Sequence, residues 1–315
     1  MSAPTVSLQG LSRSFGALLA VDALTVDIGA GELFGIVGPD GAGKTTTLRM
    51  LAGVLRPSAG TAVLARVDVA ANPEGVKPHI AYMAQRFGLY EDLTVQENLD
   101  FYADLYRVPK ADRPARLERL YEFSRLGEFS HRLAGQLSGG MKQKLSLSCC
   151  LVHRPKILLL DEPTFGVDPI SRRELWLILH EMVGEGITVV VSTSYLDEAE
   201  RCDRVMLLNE GRALALDRPE QLQASLEGTM IQLRSDRPRV AREVLRGTDG
   251  IRTVALFGDS IHALLAPGIG RARVGEALEA AQVSVSDVQE VVPSLEDVFL
   301  HLVTKLPESR ELSGV

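Results

Sequence analysis

Aromatic side chains are scarce in this chain, 5% of 315 residues with one tryptophan, and cysteine is scarcer still, at three. Cys149, Cys150 and Cys202 show no spacing suited to a disulfide framework or a metal cluster. The adjacent pair falls in an apolar helical stretch, where reduced core residues are expected. No apolar run reaches the roughly 20 residues of a membrane-crossing helix, and the first residues do not read as a signal peptide. Membrane association is therefore expected only through a protein partner. Long blocks of Lys or Arg are missing, and 34 basic residues against 41 acidic ones leave a net charge of −7. That balance argues against nucleic acid as the main partner. There is no internal repeat and no low-complexity tract, yet 315 residues leave room for a large α/β core and a second, smaller domain.

What the chain does have is phosphate-handling chemistry. Gly38-Pro39-Asp40-Gly41-Ala42-Gly43-Lys44-Thr45 lies between a short apolar strand, Leu33–Val37, and a helix expected from Thr46. The glycines allow a tight turn with successive N–H groups facing one way, and the helix N-terminus adds partial positive charge. Lys44 can reach terminal phosphates, and the Thr45 hydroxyl can ligate Mg²⁺. A Gly-rich turn with a stray lysine is the bland alternative. Downstream, Ile157-Leu-Leu-Leu-Asp161-Glu162 reads as a buried parallel strand that delivers carboxylates to the edge of a sheet. Asp161 suits a Mg²⁺-side role and Glu162 that of a general base, although loop and cap residues also occur there.

A second anion-binding helix start follows from Leu137-Ser138-Gly139-Gly140-Met141. One nucleotide rarely needs two such cradles from one protomer, so this turn is expected to face a nucleotide held by a partner. A plain N-cap with a flexible glycine pair is the alternative.

The order of these segments resembles the ATP-binding-cassette (ABC) ATPases over residues from about 5 to 220. The resemblance makes 38–45 a Walker A loop, Gln85 the Q-loop residue, 137–141 the signature, 157–162 Walker B, and Asp168 part of the D-loop. Gly88-Leu-Tyr-Glu-Asp-Leu-Thr-Val-Gln-Glu-Asn-Leu, Tyr195-Leu-Asp-Glu-Ala-Glu and Pro293-Ser-Leu-Glu-Asp-Val-Phe-Leu are similar to the ABC-2 exporter class, and to the first half of its tandem ATPases in particular. It implies ATP and Mg²⁺ as cofactors, with Thr45, Gln85 and Asp161 on the metal side. Phe15, residues 38–46 including Thr46, and in trans Ser138, Gly139, Gly140, Met141 and Asp168 would hold nucleotide. Phe15 resembles an adenine-stacking residue, with a strand-core phenylalanine as the alternative. Departures are Asp40 for asparagine, Met141 for glutamine, and Ser194 where the family's switch histidine stands. Serine is shorter than histidine and cannot carry an imidazolium charge.

The expected architecture is α/β. A P-loop NTPase core over 5–220 has a parallel sheet, an antiparallel β subdomain around 5–35, and a helical signature subdomain at about 94–150. Residues 221–305 alternate as β-α-β-β-α-β-α, which suits a ferredoxin-like α+β domain, and 306–315 read as a loose tail. Arg86, Phe87, Leu89 and Tyr90 are candidates for a groove that receives a permease. Three function classes stay open: the energising subunit of an ABC-2 export permease for drugs or other amphiphiles, an ATP-binding regulatory cassette, and a soluble non-transport ABC ATPase. The first predicts a place on the cytoplasmic face of the membrane, held by an integral permease. It also predicts a second cassette, with a heterodimer favoured by Ser194.

Overall fold

A computed structural model describes residues 4–86 and 88–305; Phe87 and the tail 306–315 lie outside the described residues. Internal contacts divide the chain into two units, Met1–Ala213 and Leu214–Val315.

The first unit opens with β1 (Val6–Phe15), β2 (Leu18–Ile28), β3 (Leu33–Val37) and α1 (Lys44–Leu51). Next come β4 (Ala59–Leu64), β5 (Val67–Asp68), α2 (Pro73–Val76) and β6 (Ile80–Met83). Three helices follow, α3 (Val95–Leu105), α4 (Arg113–Ser124) and α5 (Gly139–Leu151). The chain then returns through β7 (Ile157–Asp161), α6 (Pro169–Gly184), β8 (Thr188–Thr193), α7 (Leu196–Ala199) and β9 (Arg204–Asn209), and β10 (Arg212–Asp217) spans the division at residues 213–214.

Strand order in the central sheet is β10-β9-β3-β8-β7-β6, with parallel pairing from β9 through β6. β3, β7 and β8 are buried along their whole length, which is why they read as unbroken apolar runs. β10 is the antiparallel edge strand that follows β9. Glu210 and Gly211 take φ of 47° and 80°, the left-handed pair that closes a tight hairpin between β9 and β10. The antiparallel subdomain is larger than the 5–35 expected. Its order is β2-β1-β4-β5, so residues 59–68 join it while β3 belongs to the central sheet. α1 begins at Lys44, two residues before the expected Thr46.

In the helical region Thr94 and Glu97 form a capping box that starts α3. Both α3 and α4 pack on α5. Cys149 and Cys150 are buried free thiols within α5, pushed up in pKa by desolvation.

The second unit contains α8 (Pro219–Ala224), β11 (Thr229–Ser235), α9 (Pro238–Arg246), β12 (Ile251–Phe257), β13 (Ser260–Leu265), α10 (Ala272–Ala280), β14 (Val285–Glu290) and α11 (Leu295–Thr304). Its sheet runs β12-β13-β11-β14, all antiparallel, the strand order of a ferredoxin-like sandwich. Ile261, Ala263 and Leu265 turn one face of β13 toward Leu245 of α9 and Val274 and Leu278 of α10. Between them His262 faces the other way, toward α11.

There, Asp297 is 2% exposed and its carboxylate meets His262 Nδ1 at 3.0 Å. It also accepts from the backbone and hydroxyl of Ser294, completing a capping box. Burial pushes the Asp297 carboxyl up, but His262 and Ser294 outweigh it and hold it below the ordinary carboxylate value. A depressed folded pKa stabilises the fold above the unfolded value, near 4, and that stabilisation is lost as pH falls through the folded one. Asp297→Asn should therefore weaken the second unit by about 1–2 kcal/mol at neutral pH. Urea melts followed by a probe in that unit should also show the wild-type advantage shrinking below about pH 4.

Candidate functional site

The loop between β3 and α1 is fixed by close approaches of backbone. Gly43 sits at φ 103°, and a Cβ there would lie 2.5 Å from the Ala20 carbonyl oxygen, so glycine is required on both counts. Gly38 N donates to the Thr193 carbonyl at 3.3 Å, joining the loop to the end of β8. Lys44 follows as the first residue of α1 and is 4% exposed. Its ammonium donates to the carbonyls of Gly38 at 2.8 Å and Pro39 at 3.0 Å, and pairs with Glu162 Oε1 at 3.1 Å.

Asp161 ends β7 at 1% exposure. Its Oδ1 accepts the hydroxyls of Thr45 at 2.9 Å and Ser192 at 2.8 Å. The Tyr82 hydroxyl reaches Oδ2 at 3.4 Å; burial first, and then the Asp161 charge, push that phenol up to about 12. Tyr82 therefore remains a donor across neutral pH. Glu162 adopts the left-handed φ of 48° and its N–H is met by Ser192, through both the carbonyl and the hydroxyl at 3.1 Å. Gln85 Nε2 lies 3.4 Å from Glu162 Oε2.

Lys44, Thr45, Gln85 and Glu162 border one cavity of about 540 Å³, whose lining also includes Asp40 to Gly43, Thr46, Phe15, Leu18, Ala20 and Phe165; Asp161, Ser192 and Tyr82 stand behind it. Phe15 closes β1 with 46% of its surface exposed, and the Arg13 guanidinium lies 4.6 Å from its ring centroid. It is a cavity-wall residue and not a core one.

Ser138, Gly139, Gly140, Met141, Asp168 and Ser194 are not among the residues lining the cavity. Ser138 caps α5, its hydroxyl accepting from Met141 N at 3.3 Å. Asp168 caps α6 through the N–H groups of Ile170 and Ser171, and the Ser171 N–H in particular holds its carboxyl below the ordinary value. A Cβ at Gly140 would come within 2.3 Å of Ser171, so the starts of α5 and α6 touch where only glycine fits. Ser194 is half-buried just beyond β8.

Ser192, Tyr82 and Phe165 are site residues that sequence reasoning missed. Ser192 carried a signal, a hydroxyl at the end of an apolar strand beside the one that delivers Asp161. Among the described residues no group of three or more His, Cys, Asp or Glu could hold a metal ion by itself.

A P-loop between a buried parallel strand and a helix, with a strand-end Asp-Glu pair beside it, defines a nucleotide-binding cassette. A family model for the ABC transporter family matches residues 21–165. The chain is 33% identical to the daunorubicin resistance ATP-binding protein DrrA2 of Streptomyces coeruleorubidus, over 99% of this chain and 98% of that protein. It is 44% identical to the probable multidrug ABC transporter ATP-binding protein YbhF of Escherichia coli (strain K12), over 96% of this chain and 53% of the relative. The chain thus spans about half the length of the first curated relatives it matches. Among solved structures, an ATP-binding subunit of an ABC transporter superposes with a TM-score of 0.64 at 29% identity, covering 70% of this chain and 92% of that one. A dimeric ATP-binding cassette in a post-hydrolysis state, bound to ADP and Pi, matches at 25% identity and TM-score 0.61 over 68% and 98%. The chain belongs to the ABC transporter ATP-binding family.

Removing the Lys44 ammonium deletes the buried cation that the loop carbonyls aim into the cavity. Lys44→Ala should weaken ATP binding about 100-fold, the worth of two charge-assisted hydrogen bonds. Titration calorimetry on folded protein checks this, and unchanged affinity would remove Lys44 from the site.

Proposed function

We propose that this chain is the ATP-binding and ATP-hydrolysing subunit of an ABC-2-type exporter, working as one of two cassettes on an integral membrane permease. The observation that carries the reading is the meeting of Lys44 and Glu162 across 3.1 Å at the cavity edge, with Thr45 tied to Asp161 beside them. A γ-phosphate entering the loop competes with Glu162 for the Lys44 cation. Its arrival frees the Glu162 carboxylate to orient a water and take its proton, with Gln85 within reach of the same carboxylate.

Mg²⁺ fits the donors present. One hydroxyl, Thr45, one carboxylate, Asp161, and the Gln85 amide are too few for an all-protein cage, which suits an ion that keeps waters and takes phosphate oxygens. When bound it would neutralise charge on the terminal phosphates. Phe15, on the cavity wall, is the candidate platform for adenine.

Ser138, Gly139, Gly140, Met141 and Asp168 stand away from the chain's own cavity, which supports their serving a nucleotide held by a second cassette. In that arrangement ATP joins the two cassettes, hydrolysis adds charge between them, and the pair reopens; the two states drive the permease. Relatives named for daunorubicin resistance, probable multidrug transport and Nod factor export support drugs or other amphiphiles as cargo. The reading puts the chain on the cytoplasmic face of the membrane, held by the permease. No helix among the described residues is long and apolar enough to cross a membrane. The C-terminal domain expected over 221–305 carries no nucleotide-binding motif and is assigned to assembly or regulation.

Glu162→Gln keeps shape and hydrogen bonding but removes the base. It should retain ATP binding and lower single-turnover hydrolysis about 100-fold or more. Full turnover in that variant would place the base elsewhere.

Ser194 favours a heterodimer. A chain that keeps the donated signature half but lacks a histidine at its own site suits a pair in which the partner's site fires faster. The regulatory-cassette alternative rests on the same serine. Ser194→His is expected to raise hydrolysis by the lone chain about tenfold, and co-expression with a histidine-bearing cassette to raise it more. A lone wild-type chain already as fast as its histidine variant would make Ser194 a neutral replacement.

A further inference from the structure

Next to the cavity, a carboxylate that the proposed reaction does not use is buried among three segments. Glu198, in α7, is 1% exposed. Its Oε2 accepts the hydroxyls of Thr164 at 2.8 Å and Thr193 at 2.9 Å. Arg172 Nε, on α6, stands 3.4 Å from Oε1, and these two buried atoms have no hydrogen-bond partner, so charge alone joins them. The Arg172 guanidinium also covers the Tyr195 ring at 4.3 Å, and Tyr195 N donates to Thr193 Oγ1 at 3.0 Å.

Each anchored residue is a near neighbour in sequence of a group the reaction needs. Thr164 lies two residues after Glu162. Thr193 and Tyr195 flank Ser194. Arg172 lies one helical turn beyond Asp168. A carboxylate kept from water is costly unless its oxygens are hydrogen-bonded and its charge paired. Here hydroxyls and cation come from three different segments, so the cost is met only when all three converge.

We propose that Glu198 is a positioning residue, a buried latch that fixes the segment after Glu162, the Ser194 loop and the start of α6 relative to one another. The inference rests on the reading of Glu162 as the base. Glu198 touches neither the cavity nor the expected nucleotide. Its effect should fall on turnover and spare ATP affinity, a split that a general loss of structure would not produce.

The test uses the full chain under single-turnover conditions, with ATP affinity measured by calorimetry and amide hydrogen exchange followed across 164–168 and 193–196. Glu198→Gln keeps both hydroxyl acceptors and drops the charge facing Arg172. It should slow turnover about tenfold with ATP affinity changed less than about twofold, and protection should fall in both segments together. Arg172→Gln, at a side chain 25% exposed, should do the same, and serves if Glu198→Gln fails to fold. The double variant should be no slower than the slower single one, since both break the same link. An unchanged rate, a loss of affinity in step with rate, additive effects, or deprotection of one segment alone would overturn the latch. Glu162→Gln run in parallel separates the two ideas. Full turnover there sinks the functional reading, while the exchange data still decide the latch.

Discussion

The site depends on the carboxylate of Asp161. It is buried at the end of β7 and accepts hydroxyls from α1 through Thr45, from β8 through Ser192 and from β6 through Tyr82. Four elements are thereby pinned at the C-terminal edge of the parallel sheet, where a doubly wound fold places its ligands. Buried charge of this kind is tolerable only with its lone pairs filled. The same hydroxyl network that satisfies Asp161 sets where the P-loop helix begins relative to Glu162. Lys44 and Glu162 then meet because β3, β7 and β8 are adjacent and in register, with Val37 beside Thr193 and Asp161 beside Ser192.

Two helix starts divide the functional chemistry. α1 presents its N-terminus to the cavity that contains Lys44, while α5 presents a second one capped by Ser138 and pressed against Ser171 at Gly140. The first has a buried lysine and two carboxylates beside it. The second is capped by a hydroxyl and has the Asp168 carboxylate close to Gly140; under the proposed function its backbone dipoles face a partner's phosphate. Under the proposed function, two such helix starts in one chain fit a cassette that works as half of a pair.

Much of this was legible from sequence, for definable reasons. From β11 to α11 the order β-α-β-β-α-β-α is the one expected, because apolar residues alternate between Gly- and Pro-marked turns. Lys44, Asp161 and Glu162, which the fold brings together, stood out in the sequence because buried parallel strands are continuous apolar runs with polar residues just beyond them. β10 did not, since its residues are half-exposed and its cue lay in the Glu210–Gly211 turn. β4 was not assigned to the antiparallel sheet because its partner β1 lies some 50 residues away and leaves no local pattern, and two-residue β5 joins only through β4. Glu198 looked like one acid in the run Asp197-Glu-Ala-Glu on a four-residue helix. Only the fold shows that it faces inward while Asp197 is exposed.

Position 194 shows how geometry and chemistry separate in such a site. Its neighbours are held without it: Thr193 through its carbonyl to Gly38 and its hydroxyl to Glu198, Tyr195 through its N–H to Thr193 and its ring to Arg172. A loop anchored on both sides keeps its course whatever side chain residue 194 carries. Serine is shorter than histidine and carries no imidazolium charge. Under the proposed function the serine therefore acts on the chemical step, beside a lysine, carboxylates and glycine turn that are all in place.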